Sequence, residues 1–266
     1  MEPVRVKPGN GPVVLAFPHV GTFLPEEVQA RLNDEGQVLR DTDWYIEDLY
    51  RDLVPGLTTV VAKHHRYVID LNRDPTGASL YPGQATTDLI PRTTFDNVPI
   101  WQPGREPDAA DRARWTEAVH RPYHAALAAE LERARARHGV AILYDCHSIR
   151  SEIPWLFAGV LPDLNIGTDG GRTCDPALEA ALVGVARSSG RSWVLNGRFR
   201  GGWTTRYYGR PAEGWHAVQM ELAQASHLAS EFPPFALDPA KAAMLRATLA
   251  EMIGRLATLA PTLARP

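Results

Sequence analysis

Short runs of consecutive apolar residues alternate, along this chain, with longer stretches whose apolar positions recur every three or four residues. Runs of the first kind occupy 12–17, 58–62, 67–71, 139–145, 192–195 and 215–222. Several are near-continuous in Val, Ile and Leu, as strands covered on both faces of a parallel or mixed sheet are. Helical periodicity lies between them. Residues 42–54 bring Trp44, Ile46, Leu49, Tyr50 and Leu53 roughly to one side. Residues 108–138 place Trp115, Val119, Tyr123, Leu127 and Leu131 at four-residue steps behind Asp108 as N-cap, and Pro122 should kink or split that helix. The last helix opens at Leu237-Asp238-Pro239, with Asp as cap and Pro in the first turn; Leu245, Leu249, Met252, Ile253 and Leu256 form its apolar face. Strands alternating with helices predict an α/β fold, a three-layer sandwich with a mixed, mostly parallel central sheet.

Residues 72–107 break the pattern. They carry Pro75, Pro82, Pro91, Pro99, Pro103 and Pro107 and little periodicity. A loop that long in a compact domain is functional or disordered, and Phe95 and Trp101 favour an ordered, packed one.

Composition narrows the class. With 266 residues, 44% hydrophobic and 22% charged, the chain can bury a large core. Neither an internal repeat nor a low-complexity linker divides it, so one domain over 1–266 is expected. A net charge of −3 argues against a general nucleic-acid binder. No apolar run approaches the ~20 residues of a membrane span, and the first residues lack the apolar core of a signal peptide. Cys146 and Cys174 form neither a disulfide framework nor a zinc-finger spacing. A cytoplasmic protein without nucleic-acid or membrane partners is expected; the oligomeric state is not legible.

Candidate chemistry gathers at four places. In "AFPHVGTFLP" (16–25) a buried strand stops at Pro18 and His19 follows. In "AILYDCHSIR" (141–150) a strand ends in Asp145-Cys146-His147-Ser148. Ligands bind at strand ends in α/β sheets. Alternation sets Asp145 and His147 on one face and Cys146 and Ser148 on the other, so a nucleophile–His pair made of adjacent residues would point apart. Cys146 is read as a small buried hydrophobe. Two strand-end histidines suit a metal site, which needs a third ligand. "RDTDWYIEDLY" (40–50) offers Asp41 or Asp43; Asp41 also reads as a helix cap, so Asp43 is preferred.

"RYVIDLNRDP" (66–75) ends a predicted strand in Asn72-Arg73. The planar Arg fork holds a carboxylate bidentately and Asn can add a further bond; Arg66, at the other end, is a weaker candidate. In "WHAVQMEL" (215–222) Glu221 alternates with apolar residues on a buried strand, which is costly unless a cation is near. A carboxylate there is a candidate general base, and His216 points the opposite way. "NGRFRGGWTTRYYG" (196–209), with Arg198, Arg200 and Arg206, suits a loop closing over an anion.

The segments "FPHVGTFLP", "DTDWYIEDLY", "VIDLNRDP", "LYDCHSIRSEIP", "LPDLNIGT", "NGRFRGGWTTRYYGRP" and "GWHAVQMEL" together resemble the N-formylglutamate amidohydrolase family, itself similar to zinc carboxypeptidases and aspartoacylase. The resemblance implies a zinc-carboxypeptidase-like (phosphorylase/hydrolase-like) sandwich and hydrolysis of N-formyl-L-glutamate to formate and L-glutamate, a late step of histidine degradation. It implies a divalent metal, zinc first, with cobalt, manganese or iron as alternatives. His19 and His147 would be metal ligands, Glu221 the general base, and Asn72 and Arg73 the partners of one carboxylate of a dianionic substrate. Arg150 or Arg206 would hold the other. The related hydrolases carry a ligand Glu three residues after the first His; here that position is Thr22, so Asp43 is the expected third ligand. The alternatives are a hydrolase of another N-acyl amino acid and a non-catalytic anion-binding module.

Overall fold

A computed structural model of the protein describes residues 2–78 and 87–264. Seven strands form one sheet: β1 (Val4–Lys7), β2 (Val13–Phe17), β3 (Thr58–Ala62), β4 (Ala141–Ile149), β5 (Leu164–Gly167), β6 (Trp193–Leu195) and β7 (Trp215–Ala223), in the order β1-β3-β2-β4-β7-β5-β6. The central pairs β3/β2, β2/β4 and β4/β7 are parallel, as is β5/β6, whereas β1/β3 and β5/β7 are antiparallel. The helices are α1 (Glu26–Gln29), α2 (Asp34–Gln37), α3 (Ile46–Tyr50), α4 (Ala109–Trp115), α5 (Arg121–His138), α6 (Pro176–Ser188), α7 (Trp203–Tyr208) and α8 (Pro239–Leu263).

The central strands are buried along their whole length, which explains why their sequences do not alternate. One face packs Leu15, Tyr144, Cys146 and Met220 against α3, α6 and α8. The other packs Val14, Ala16, Leu143 and Ala217 against Val119, Tyr123, Leu127 and Leu131 of the α4–α5 arm. Helices on both faces make the predicted three layers. Asp108 caps α4 with a reciprocal bond to Asp111, and Asp238 caps α8 by accepting from the N–H groups of Ala240 and Lys241. The long helix is split where Pro122 required: a π-helical turn over Thr116–His120 separates α4 from α5.

Several expectations are corrected. Residues 67–71 are not a strand. Tyr67, Val68, Ile69 and Leu71 are buried, but the edge of β3 that such a strand would need is taken by β1, which the apolar pattern did not reveal. The segment folds as turns instead, with Val68 N–H bonded to His65 O (2.9 Å) and Asp70 N–H to Leu89 O (2.7 Å). The helix predicted over 42–54 shrinks to α3, because Tyr45 takes a left-handed φ of 61° at its start and Asp52 one of 54° after its end. β4 runs four residues beyond the predicted end, and β5 was not foreseen. Part of the 72–107 stretch, 79–86, lies outside the described residues. The described remainder holds neither helix nor strand and is packed: Ile100 and Trp101 are buried, and the Trp101 indole donates to Pro91 O at 2.8 Å. Among the described residues no helix is long and apolar enough to cross a membrane.

Candidate metal centre and active site

The site stands at the carboxyl ends of β2, β4 and β7. β2 stops at Phe17, and His19 follows two residues later. β4 continues past its last pairing with β2, Ala16 to Asp145, and carries His147 beside that end. Parallel register then sets Gln219 beside Asp145 and Glu221 beside His147 on β7. Asp43 arrives from the turn before α3, tied to the histidine by a bond from its N–H to His19 O (3.0 Å).

His19, Asp43 and His147 are all buried, and one ligand atom from each lies within 4.8 Å of the others. Nδ1 of His19 and Nδ1 of His147 are 3.2 Å apart. Asp43 Oδ2 is 3.4 Å from His147 Nδ1 and 3.8 Å from His19 Nδ1. That oxygen is buried with no hydrogen-bond partner among the described residues. The far edges of both rings face carboxylates. His19 Nε2–H donates to Asp70 Oδ1 at 2.7 Å, which leaves its Nδ1 lone pair toward Asp43. His147 Nε2 lies 3.1 Å from Asp145 Oδ1. Two imidazoles beside carboxylates and one buried carboxylate oxygen without a hydrogen bond, converging on one another, fit a divalent cation.

The same neighbours set the charges of these groups. Burial and the Arg66 guanidinium lower the pKa of His19, keeping it a neutral donor. Burial opposes the charged ring of His147, but the Asp145, Asp43 and Glu221 carboxylates outweigh it and raise its pKa well above the usual value. For Asp70 burial is likewise outweighed, by Arg66 at 2.6 Å, Arg73 and His19, and its carboxyl stays well below the usual range. Burial and the charge of Asp43 push Glu221 up to about 7, against the charges of His147 and Arg66.

A cavity of about 540 Å³ opens over this group. Its wall includes His19, Asp43, His147, Glu221, Gln219, Asn72, Arg73 and Arg66, with further cationic side chains from Arg92, Arg112 and Arg198. Apolar cover comes from Phe95, Ile149, Leu156 and Phe199.

The remaining sequence candidates divide. Asp41 stands outside the His19–Asp43–His147 group: its Oδ2 accepts from the Tyr67 hydroxyl (2.9 Å) and Phe95 N–H (3.1 Å). Arg73 reaches the cavity, its fork braced by Thr87 O (3.0 Å) and Thr87 Oγ1 (2.7 Å). Asn72 also lines it, with Oδ1 accepting from Thr204 N–H (2.9 Å) and Nδ2 3.2 Å from His147 Nε2. Arg150 and Arg206 are not among the described lining residues. Arg150 pairs with Asp96 in the 72–107 loop, and Arg206 pairs with Asp169 at 3.2 Å. Three residues escaped or were undervalued. Asp70 sat unremarked inside "VIDLNRDP", where a carboxylate amid Val68, Ile69 and Leu71 was the available signal. Arg66 is buried and lines the cavity. Gln219, two residues before Glu221, donates to Glu221 Oε2 at 2.9 Å and accepts from Gly202 N–H at 2.6 Å.

Fold and site together define an α/β sandwich of hydrolase type, with a two-His, one-Asp group at the strand ends and a carboxylate beside it. The model of the family N-formylglutamate amidohydrolase matches residues 11–228, and the chain belongs to that family. It is 46% identical over 258 residues, 96% of either chain, to an N-formylglutamate deformylase of Pseudomonas aeruginosa. It is 48% identical over 231 residues, 85% of either chain, to one of Pseudomonas putida. Among solved structures, an N-formylglutamate amidohydrolase from Ralstonia eutropha JMP134 superposes with a TM-score of 0.79 at 25% identity, covering 96% of this chain and 98% of that one. The gene product Atu2144 of Agrobacterium tumefaciens shares the fold, with a TM-score of 0.72 at 20% identity over 97% of this chain and 96% of that one.

Proposed function

We propose that this chain is a metal-dependent amidohydrolase that cleaves N-formyl-L-glutamate to formate and L-glutamate, a late step of histidine degradation. The observation that carries the reading is the buried His19–Asp43–His147 group with Glu221 in register beside it, in a chain whose relatives are named for that reaction. His19, His147 and Asp43 hold a divalent metal, zinc in the first instance; the same donors suit cobalt, manganese or iron. Such a metal supplies Lewis acidity, which acidifies water and polarises an amide carbonyl.

The chain's own groups do the rest. Glu221 accepts a proton from the attacking water and returns it to the departing amine nitrogen as the C–N bond breaks. Its elevated pKa suits a group that takes and gives a proton near neutrality. Gln219 holds the Glu221 carboxylate in place. Arg73 offers its fork to one carboxylate of the substrate. For the second carboxylate, Arg92, Arg112 and Arg198 are the lining cations, in place of Arg150 and Arg206. Asn72 contributes to the same wall through an amide already bonded to the α7 backbone.

The test is a formate-release assay on zinc-loaded enzyme, alongside elemental analysis of the protein and of His19→Ala and His147→Ala. One metal per chain, lost in both variants together with formate release, is expected. Turnover of other N-acyl amino acids with none of N-formylglutamate would move the substrate. Absence of both metal and turnover would leave an anion-binding module.

A further inference from the structure

We propose that His120 and His124, on the helical arm behind the cavity, are positioning residues that fix the main chain carrying Arg73 and thereby set the affinity for the substrate carboxylate. The inference rests on the proposed hydrolysis of N-formylglutamate. Its starting point is a need that the fold creates. Because residues 67–71 do not join the sheet, the buried Leu71 carbonyl and the part-buried Arg73 carbonyl just beyond the segment have no ladder partner, and a carbonyl left unpaired away from water is costly.

Two imidazoles meet this need. His124 Nε2–H donates to Leu71 O at 2.8 Å, and His120 Nε2–H donates to Arg73 O at 3.0 Å. Leu71 and Arg73 flank Asn72, so the two rings grip the turn on either side of it. On the opposite side, Thr204 N–H at the start of α7 holds Asn72 Oδ1 at 2.9 Å. Trp203, the preceding residue, packs against both rings, with centroids 5.5 Å from His120 and 4.8 Å from His124.

The tautomers are consistent with donors rather than charges. Burial lowers the pKa of His120, and burial with the neighbouring His120 ring lowers that of His124 to about 3. The Tyr208 hydroxyl lies 3.2 Å from His124 Nδ1 and donates to His124 O at 3.1 Å, which braces the second ring. What histidine adds is the N–H aimed at the turn. His120 closes the π-helical turn that precedes Pro122, and unwound helical turns of this type recur beside functional sites.

The experiment compares His120→Phe, which removes the donor and keeps a ring, with His120→Gln, whose amide N–H stands near the place of ring Nε2. Steady-state kinetics on N-formylglutamate are paired with calorimetric binding of L-glutamate to the zinc-loaded enzyme. His120→Phe should raise KM and weaken L-glutamate binding about tenfold, the scale of one lost hydrogen bond, with kcat within about threefold. His120→Gln should return both to within about twofold of wild type. Should Phe prevent folding, His120→Asn, whose amide falls short of Arg73 O, takes its place. Unchanged binding in the donor-free variant overturns the proposal. So does a loss of kcat and KM alike that Gln does not rescue, since that marks a purely structural role. A wild type that neither binds L-glutamate nor releases formate overturns the proposed function, and this inference with it.

Discussion

Asp70 Oδ1 accepts a hydrogen bond from His19 Nε2–H at 2.7 Å, while Arg66 holds the other oxygen of the same carboxylate at 2.6 Å. All three side chains are buried. The arrangement locks the tautomer and the ring plane of His19, so its Nδ1 lone pair faces Asp43 and His147. It also explains why a carboxylate sits in an apolar turn: the guanidinium neutralises it and the imidazole uses it.

Asp70→Asn keeps the shape but lets the amide present its N–H to the ring. Loss of such an outer partner typically costs ~10–100-fold in metal affinity. Competition against a fluorescent zinc chelator should show a loss in that range, with the metal still binding at saturating concentration. Wild-type affinity in the variant would remove Asp70 from the metal centre.

Glu221→Gln is nearly isosteric, and the bond from Gln219 can be replaced by a bond to the new amide oxygen. Metal content should be unchanged by elemental analysis. General base catalysis is worth ~10²–10⁴-fold, about 3–5 kcal/mol of barrier, so kcat should fall by that factor with KM little altered. Because burial raises the Glu221 pKa, kcat/KM in the wild type should rise with pH through an acidic limb above the ordinary carboxylate range. That limb should vanish in the variant.

Arg73→Lys keeps one positive charge and loses the fork that Thr87 braces. kcat/KM for N-formylglutamate should fall by ~10–10²-fold, the scale of a lost charge-assisted contact of about 1.5–3 kcal/mol. An uncharged formamide should lose far less. Equal losses on the two substrates would make Arg73 a structural residue.

His227 is buried and donates from Nε2 to Trp44 O at 3.0 Å; burial, first of all, lowers its pKa to about 4. The folded state therefore binds fewer protons than the unfolded state between about pH 6.5 and 4. Unfolding free energy falls as pH drops through that window, by about 3 kcal/mol from this residue at ~1.4 kcal/mol per pH unit. His227→Gln keeps the donor without the titration. Urea unfolding at pH 7 and at pH 4 should show the variant losing less stability on acidification than the wild type by that margin. An identical pH dependence would mean that His227 charges freely in the folded protein.

The apolar pattern of the chain settled much of this protein. Near-continuous runs at 12–17, 58–62, 139–145 and 215–222 required strands covered on both faces, and Asp108, Pro122 and Asp238-Pro239 marked the ends and the break of the main helices. His19 and His147 were legible as a pair because each follows or ends such a strand, and Glu221 because a carboxylate in a buried strand needs a cation. Local patterning does not say which edges are already occupied. The run 67–71 looked like any other strand, yet β1, too short and too exposed to signal itself, had taken the edge of β3, so the run became turns. That displacement is what turned Asp70 toward His19 and left Leu71 and Arg73 with carbonyls for His124 and His120 to satisfy. Asp43 and Asp41 are two residues apart and chemically identical. The left-handed turn at Tyr45 and the bond from Asp43 N–H to His19 O separated the one gathered with His19 and His147 from the one held by Tyr67. The arginines divided in the same way, since a guanidinium on a flexible stem goes to whichever carboxylate the fold brings near. For Arg150 and Arg206 these are Asp96 and Asp169, both distant in sequence and close only once the chain has folded.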